Sequence, residues 1–208
     1  MSLAEQLAQG VAQLDLTLPP QAESQLLDYL ALLQKWNRTY NLTAVRDASK
    51  MVSHHLLDCL AVVPQVTAGT TVLDVGSGAG LPGIPLALAQ PRTRVTLLES
   101  SHKKAAFLQQ AKSELKLDNV TVACERAEAW RPGRSFEMVI SRAFSDLAEL
   151  IAAAGRHVAP GGRLAAMKGI YPHEEITRLP QGWRLQEAIS LAVPGLHAKR
   201  HLLLLEPQ

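Results

Sequence analysis

A short apolar run, Val72-Leu73-Asp74-Val75, opens directly onto Gly76-Ser77-Gly78-Ala79-Gly80 and then Leu81-Pro82-Gly83. This stretch limits the possible folds more than any other. Apolar and β-branched residues over Thr71–Val75 predict a short buried strand. The glycines let the chain turn with positive φ and let its backbone come close to a ligand. Pro82 suits a first helical turn, so a helix is expected over Pro82–Ala89. A strand, a glycine turn and a helix in that order begin a parallel α/β sheet. Ligands in such sheets bind at the carboxyl ends of the strands.

The rhythm continues downstream. Strands are expected at Arg94–Leu98, Val120–Ala123, Phe136–Ile140 and Arg163–Met167. A helix over Lys103–Leu115 turns Ala106, Phe107, Ala111 and Leu115 to the sheet, and another over Leu147–Val158 ends at Pro160-Gly161-Gly162. The last segments, Leu185–Val193 and Arg200–Leu205, are joined by Pro194–Lys199 with no helix between them. They read as an antiparallel hairpin closing the sheet. Upstream, Leu3, Leu7, Val11 and Leu14 predict a helix over Ser2–Leu16. After Pro19-Pro20 a second helix carries the stripe Leu26, Leu27, Leu30, Leu33 and Trp36. Asn37–Thr43 predicts a turn, and a third helix is expected over Asp47–Val63. Residues 1–66 are therefore read as a helical extension and 67–208 as the sheet domain, within one structural unit.

With 208 residues, 47% hydrophobic and 19% charged, the chain fits one globular domain with an extension. Cys59 and Cys124 lie in unrelated segments and form no disulfide framework, which suits a reducing cytosol. No apolar run reaches the length of a membrane span, and the N-terminus lacks the features of a signal peptide. The expectation is a cytoplasmic monomer with no membrane role. A formal net charge of +2 neither demands nor excludes nucleic acid, so any RNA grip needs its positive charge gathered on one face.

Gly78-Ala79-Gly80-Leu81-Pro82-Gly83 matches G-x-G-x-x-G and by itself admits a dinucleotide. Three features favour S-adenosyl-L-methionine. Asp74 precedes the glycines and is suited to pair with a methionine ammonium. The chain ends in the hairpin, and no second set of elements is present to hold a hydride acceptor. Glu99, ending the second strand, is placed for ribose hydroxyls. A dinucleotide, or a glycine turn without a ligand, remains the alternative. For the acceptor, the position after the fourth strand reads Ser141-Arg142-Ala143-Phe144, without the Asn/Asp-Pro-Pro-aromatic tetrad of exocyclic-amine methylation. Neither cysteine lies where a carbon-5 nucleophile is needed. A ring nitrogen with a free lone pair needs alignment and no general base, so it is compatible with what is present.

Nearly the whole chain resembles the bacterial ribosomal small-subunit methyltransferase G family, also called glucose-inhibited division protein B. The resemblance rests on Trp36-Asn37-Arg38 through Asn41-Leu42-Thr43, His55 with Asp58, Asp74–Gly83, Ser141-Arg142-Ala143 and Lys168-Gly169. It implies a Rossmann-like class I methyltransferase fold: α/β, a seven-stranded, mostly parallel sheet with a C-terminal antiparallel hairpin and an N-terminal helical extension. It also implies methylation of N7 of one guanine near the decoding centre of 16S ribosomal RNA, free or in an assembling small subunit. By motif, Gly76 and Leu81 are implied donor contacts, Ala127 and Glu128 are implied to flank the adenine, and Arg142 is implied to line the donor or target site as the catalytic residue. Gly78, Gly80 and Glu99 follow from the wider superfamily.

Arg126, Arg142, Lys168, Lys199, Arg200 and His201 fall at strand ends along one expected edge. They read as a phosphate-binding face or as solvated charges. Of these, Arg126, Lys168 and Arg200, together with His55, are the candidate RNA contacts, and one of His54 and His55 is expected to face the glycine loop as a lid contact. His54, His55 and Asp58 offer too few ligands on one helix for a metal. Trp36 and Tyr40 are candidates for base stacking, although Trp36 continues an apolar stripe that favours core packing.

Overall fold

The computed structural model describes residues 1–208. Helix α1, Leu3–Gln13, starts from a capping box: the Ser2 hydroxyl accepts the Glu5 N–H at 3.2 Å and the Glu5 carboxylate accepts the Ser2 N–H at 2.7 Å. Helix α2 spans Ala22–Tyr40 and so runs into the stretch expected to turn. The reversal comes at Asn41, which ends the helix at φ 50°. Buried Asn37 then accepts the Thr43 N–H at 2.8 Å and draws the chain back over the helix end.

The third helical segment differs from the expected single α-helix. It begins as α3, Ala48–Met51, widens into a π-helix over Val52–Leu57, and returns to α-helix as α4, Asp58–Leu60. The wider turn breaks the 3.6-residue period and lets neighbouring side chains face the interior together. His55, Leu56, Leu57 and Asp58 are all buried in succession.

Strands β1 (Thr71–Val75), β2 (Arg94–Leu98) and β3 (Val120–Ala123) fall where expected. They are followed by β4 (Phe136–Ser141), β5 (Val158–Lys168), β6 (Trp183–Ser190) and β7 (His201–Pro207). The helices between them are α5 (Gly83–Ala89), α6 (His102–Glu114), α7 (Leu147–Ala154) and a short α8 (His173–Thr177) that has no apolar periodicity in the sequence. The sheet order is β3-β2-β1-β4-β5-β7-β6. The first five strands are parallel, and β7 runs antiparallel to both β5 and β6. The order reverses between β1 and β4, and this crevice is where such sheets hold ligands.

Two inward-facing assignments shift. Ala106 is exposed, and Ala105 and Leu108 take its place with Phe107 and Ala111. Strand β5 starts at Val158, because Pro160-Gly161-Gly162 stays in the sheet beside a register shift in β4. The helices α1 to α6 and one sheet face share a single apolar core, which runs from Leu7 to Leu204. A smaller core lies under α7 on the other face.

Candidate active site

The glycine turn is held from four directions. From below, the Gly76 and Ser77 N–H groups both donate to the Leu98 carbonyl, at 2.8 and 3.1 Å. From the helical extension, buried Tyr29 donates its hydroxyl to the Ala79 carbonyl at 2.6 Å. From β2, Glu99 accepts the Gly78 N–H at 2.8 Å with one oxygen and the Ser101 N–H at 2.8 Å with the other. From β1, Asp74 Oδ2 accepts the Gly83 N–H at 3.0 Å. Gly78 has φ +58°, and a Cβ built there would meet nothing nearer than the Gly76 carbonyl at 3.8 Å, so this face of the turn is open.

Asp74 has no exposed surface, and its Oδ1 has no hydrogen-bond partner. Burial pushes its carboxyl up to about 7, against the lowering effect of the Gly83 N–H and the Ser77 hydroxyl. The structure therefore corrects the picture of Asp74 as an open partner for an ammonium. It lies beneath the turn and fixes it, with one oxygen still unsatisfied.

Two cavities open along the carboxyl edge. The smaller, about 120 Å³, is lined by Gly76, Arg126, Ala127, Glu128 and Phe144, among others. Arg126 and Glu128 are exposed on it. Ala127 is fixed through its carbonyl, which bonds to Arg156 and lies 3.1 Å from His157 Nε2. The larger, about 330 Å³, is lined by Val45, His54, His55, Asp58, Arg142, Met167, Lys168, Gly169 and Arg200. Ser141 stitches the strand ends between them, donating to the Val75 carbonyl at 2.7 Å and accepting the Ala143 N–H at 3.1 Å.

The expected residues thus divide into three groups. Gly76, Arg126, Ala127 and Glu128 meet at the smaller cavity. Arg142, Lys168, Arg200 and His55 meet at the larger one, so Arg142 sits with the candidate RNA contacts rather than with the adenine-flanking pair. Asp74, Gly78, Gly80, Leu81 and Glu99 line neither; Leu81 is part of the core.

Two candidate RNA contacts are corrected. Lys168 is spent within the fold, its Nζ lying 2.8 Å from Glu175 Oε2 on α8. His55 is only 3% exposed, with Nε2 2.8 Å from the Thr43 hydroxyl and Nδ1 unpartnered. Burial lowers its pKa to about 4, so it is neutral at pH 7 and offers no positive charge to phosphate. Trp36 packs between Tyr40 and Phe107, at ring distances of 5.2 and 5.7 Å.

Asp58 has a larger part in the site than its place in the sequence suggests. It is 1% exposed and binds Arg142 Nη1 at 3.0 Å and Arg200 Nε at 2.9 Å. Its signal was legible as a carboxylate among Leu56, Leu57, Cys59 and Leu60, where a charge is buried only with partners.

The sheet order and the glycine turn at its switch point define a Rossmann-like methyltransferase fold. A methyltransferase from Thiobacillus denitrificans, solved with S-adenosyl-L-homocysteine, superposes with a TM-score of 0.56 over 85% of this chain and 97% of its own, at 13% identity. The Thermus thermophilus enzyme TrmN also gives 0.56, over 76% of this chain and 53% of its own, at 18% identity. The family model for rRNA small subunit methyltransferase G matches residues 22–203, and the chain belongs to that family. Ribosomal RNA small subunit methyltransferase G of Nitrosospira multiformis is 54% identical over 99% of this chain and 98% of its own. The protein of the same name in Aromatoleum aromaticum is 54% identical over 98% of each.

Proposed function

We propose that this chain transfers a methyl group from S-adenosyl-L-methionine to N7 of one guanine in the decoding-region loop of 16S ribosomal RNA. The observation that carries this reading is the family match over residues 22–203, together with more than 50% identity to relatives across nearly the full chain.

The residues present fit the methyl donor. Gly76 and the Ala127–Glu128 backbone border a cavity suited to an adenine, and Glu99 stands beside it with lone pairs left for ribose hydroxyls. Gly78 leaves room for a ligand against the turn. When bound, S-adenosyl-L-methionine supplies an electrophilic methyl on a sulfonium.

The chain's own work is then alignment. Guanine N7 carries a lone pair and no proton, so no residue has to remove one. Asp58, the carboxylate on the larger cavity, is occupied by two arginines, which suits a reaction that asks for no base. N7 lies on the deep major-groove edge of paired RNA, so the target guanine must be unpaired to enter the larger cavity.

The test is a mass-spectrometric map of N7-methylguanine in 16S RNA from a deletion strain with and without this gene. Loss of one methylated guanine, restored by the gene, is the expected result. An unchanged map refutes the reading. Labelling of small molecules but never RNA favours a small-molecule methyltransferase, and failure to bind the donor in calorimetry favours a non-catalytic binding module.

A further inference from the structure

Between the last turns of α2 and the end of α3 the chain gathers positive charge. Residues 34–51 hold Lys35, Arg38, Arg46 and Lys50 against the single carboxylate of Asp47, a net +3 in a chain whose total is +2. Asp47 is itself engaged, since it caps α3 by accepting the Lys50 N–H at 2.9 Å. A cavity of about 220 Å³ opens among these residues, lined by Gln34, Asn37, Arg38, Arg46 and Met51. It shares no lining residue with the two cavities at the carboxyl edge, and no carboxylate lines it.

Asn37 is the buried polar group of this cavity, only 4% exposed. The Thr43 N–H, at 2.8 Å, needs an acceptor, which fixes the end of the amide that carries oxygen. The Nδ2 end keeps two N–H donors with no partner in the protein. A buried amide with unpaired donors on a cavity wall asks for an acceptor in that cavity. Arg38 and Arg46 line the same space, and neither enters an ion pair. Arg46 spends one donor, Nη2, on Asn41 Oδ1 at 3.3 Å. Two guanidiniums around one cavity repel each other, and an anion between them turns that repulsion into attraction.

The place of this cavity ties it to the reaction. Val45 lines the 330 Å³ cavity and Arg46, the next residue, lines this one, so the two share a wall. The Thr43 hydroxyl secures that wall: it accepts the Val45 N–H at 3.2 Å and lies 2.8 Å from Nε2 of buried His55.

We propose that Asn37, Arg38 and Arg46 form an anion site on the helical extension that takes a phosphodiester group of the substrate RNA, one wall away from the cavity that admits the target guanine. The inference rests on the RNA reading above. The charged groups offered are both guanidinium forks, which match an anion with several oxygens, and the buried amide adds donors of the same sign. Free phosphate carries the same oxygens, and the test separates the two sources.

Asn37→Asp keeps the shape of the side chain and the acceptor for the Thr43 N–H, but puts a carboxylate oxygen where the free amide stands. Were Asn37 only structural, two nearby arginines would welcome that charge and RNA binding would hold. An anion site predicts the reverse: the dissociation constant for small-subunit particles rises about tenfold or more. The second variant, Arg38→Gln with Arg46→Gln, is made on exposed side chains. It is expected to weaken particle binding about tenfold and to lower the slope of log affinity against log salt by about one, a readout that a merely structural role leaves unmoved. Affinity for S-adenosyl-L-methionine in calorimetry reports the fold, and stays within about twofold in both variants. Wild-type particle affinity and salt slope in the arginine variant overturn the site. So does a loss of particle affinity matched by an equal loss of donor affinity, because that reports a damaged fold. Inorganic phosphate is titrated into the same proteins: if wild type binds it and the arginine variant does not, while both hold particles equally, the site takes a small anion and the proposal fails. Wild-type protein on the same particles is the control. If it labels no RNA, the functional reading fails; if it labels RNA and the variants bind particles as tightly, this site alone fails.

Discussion

Gly78 and Gly80 sit two residues apart in one turn, both at positive φ, yet alanine is expected to damage the protein in different ways at the two positions. At Gly78, with φ +58°, the added methyl meets only the Gly76 carbonyl at 3.8 Å, so the folded chain bears little beyond the left-handed strain, about 1–2 kcal/mol. In a chain of this size that lowers Tm by roughly 2–8 °C. The methyl nonetheless occupies the open face of the turn, and affinity for S-adenosyl-L-methionine is expected to fall by at least about 100-fold, with valine abolishing it. At Gly80, with φ +89°, the methyl lands 2.4 Å from Ile84 Cδ1, 2.8 Å from Ile84 Cγ1 and 3.0 Å from Leu108 Cδ2. Strain and overpacking together cost about 2–5 kcal/mol, a Tm loss of roughly 4–20 °C. Thermal unfolding and calorimetric titration of the donor on the same preparations separate the two effects. A Gly78→Ala protein that binds donor normally would refute the placement of the ligand against that face. A Gly80→Ala protein as stable as wild type would refute the packing argument.

Three further outcomes are expected. Tyr29→Phe leaves the buried Ala79 carbonyl without its donor, so it should cost about 1–3 kcal/mol in thermal unfolding and weaken donor binding, because the glycine turn loses its tie to α2; unchanged donor affinity would show that the tie does not set the turn. The second concerns pH. His55 has its pKa lowered from 6.5 to about 4, so its unfolded form binds the extra proton between those values and stability falls on acidification; Asp74 is raised from 3.8 to about 7, so its folded form binds the extra proton and stability falls as pH rises through that window. The slopes oppose, and wild type should be nearly flat between about pH 4 and 6.5, while Asp74→Asn exposes a loss of roughly 3 kcal/mol on acidification; a flat profile in the variant, followed by denaturant unfolding, would count against a buried neutral His55. Third, Arg142→Ala should lower the methylation rate far more than it weakens donor binding, given that Arg142 lines the larger cavity and not the smaller; an unchanged rate refutes its role.

The sheet was legible because its strands are short runs rich in Val, Leu and Thr bounded by Gly, Pro and Asn, and β1, β2 and β3 fall on the expected residues. The antiparallel end was legible for a related reason. Pro194–Lys199 is too short to cross back over a sheet, so its flanking strands must pair antiparallel. What the sequence hid depends on contacts between distant segments. The π-helix at Val52–Leu57 has no local signature, since its wider turn is stabilised by what it packs against, including the Arg142 side chain on the His54 carbonyl. Lys168 looked free because its partner Glu175 lies on α8, a five-residue helix with no apolar periodicity of its own. Arg142 and Arg200 looked like independent surface cations because the carboxylate that joins them is 84 and 142 residues away along the chain.

That pairing bears on how a chain with net charge +2 addresses a polyanion. If all the edge cations had been free, affinity would come from charge density, which every RNA satisfies equally. Instead Lys168 is neutralised, Arg142 and Arg200 share one carboxylate, and His55 is uncharged at pH 7. Charge that is paired contributes less to non-specific attraction, while a side chain held by its partner points in a fixed direction. The site therefore trades long-range pull for geometry. On the proposed reading it suits a substrate whose phosphates are already held in place better than a flexible strand. Tyr29 and Asp58 hold comparable positions in the helical extension: one bonds the glycine turn, the other joins the two arginines on the wall of the larger cavity, so both features of the carboxyl edge are braced from outside the sheet domain.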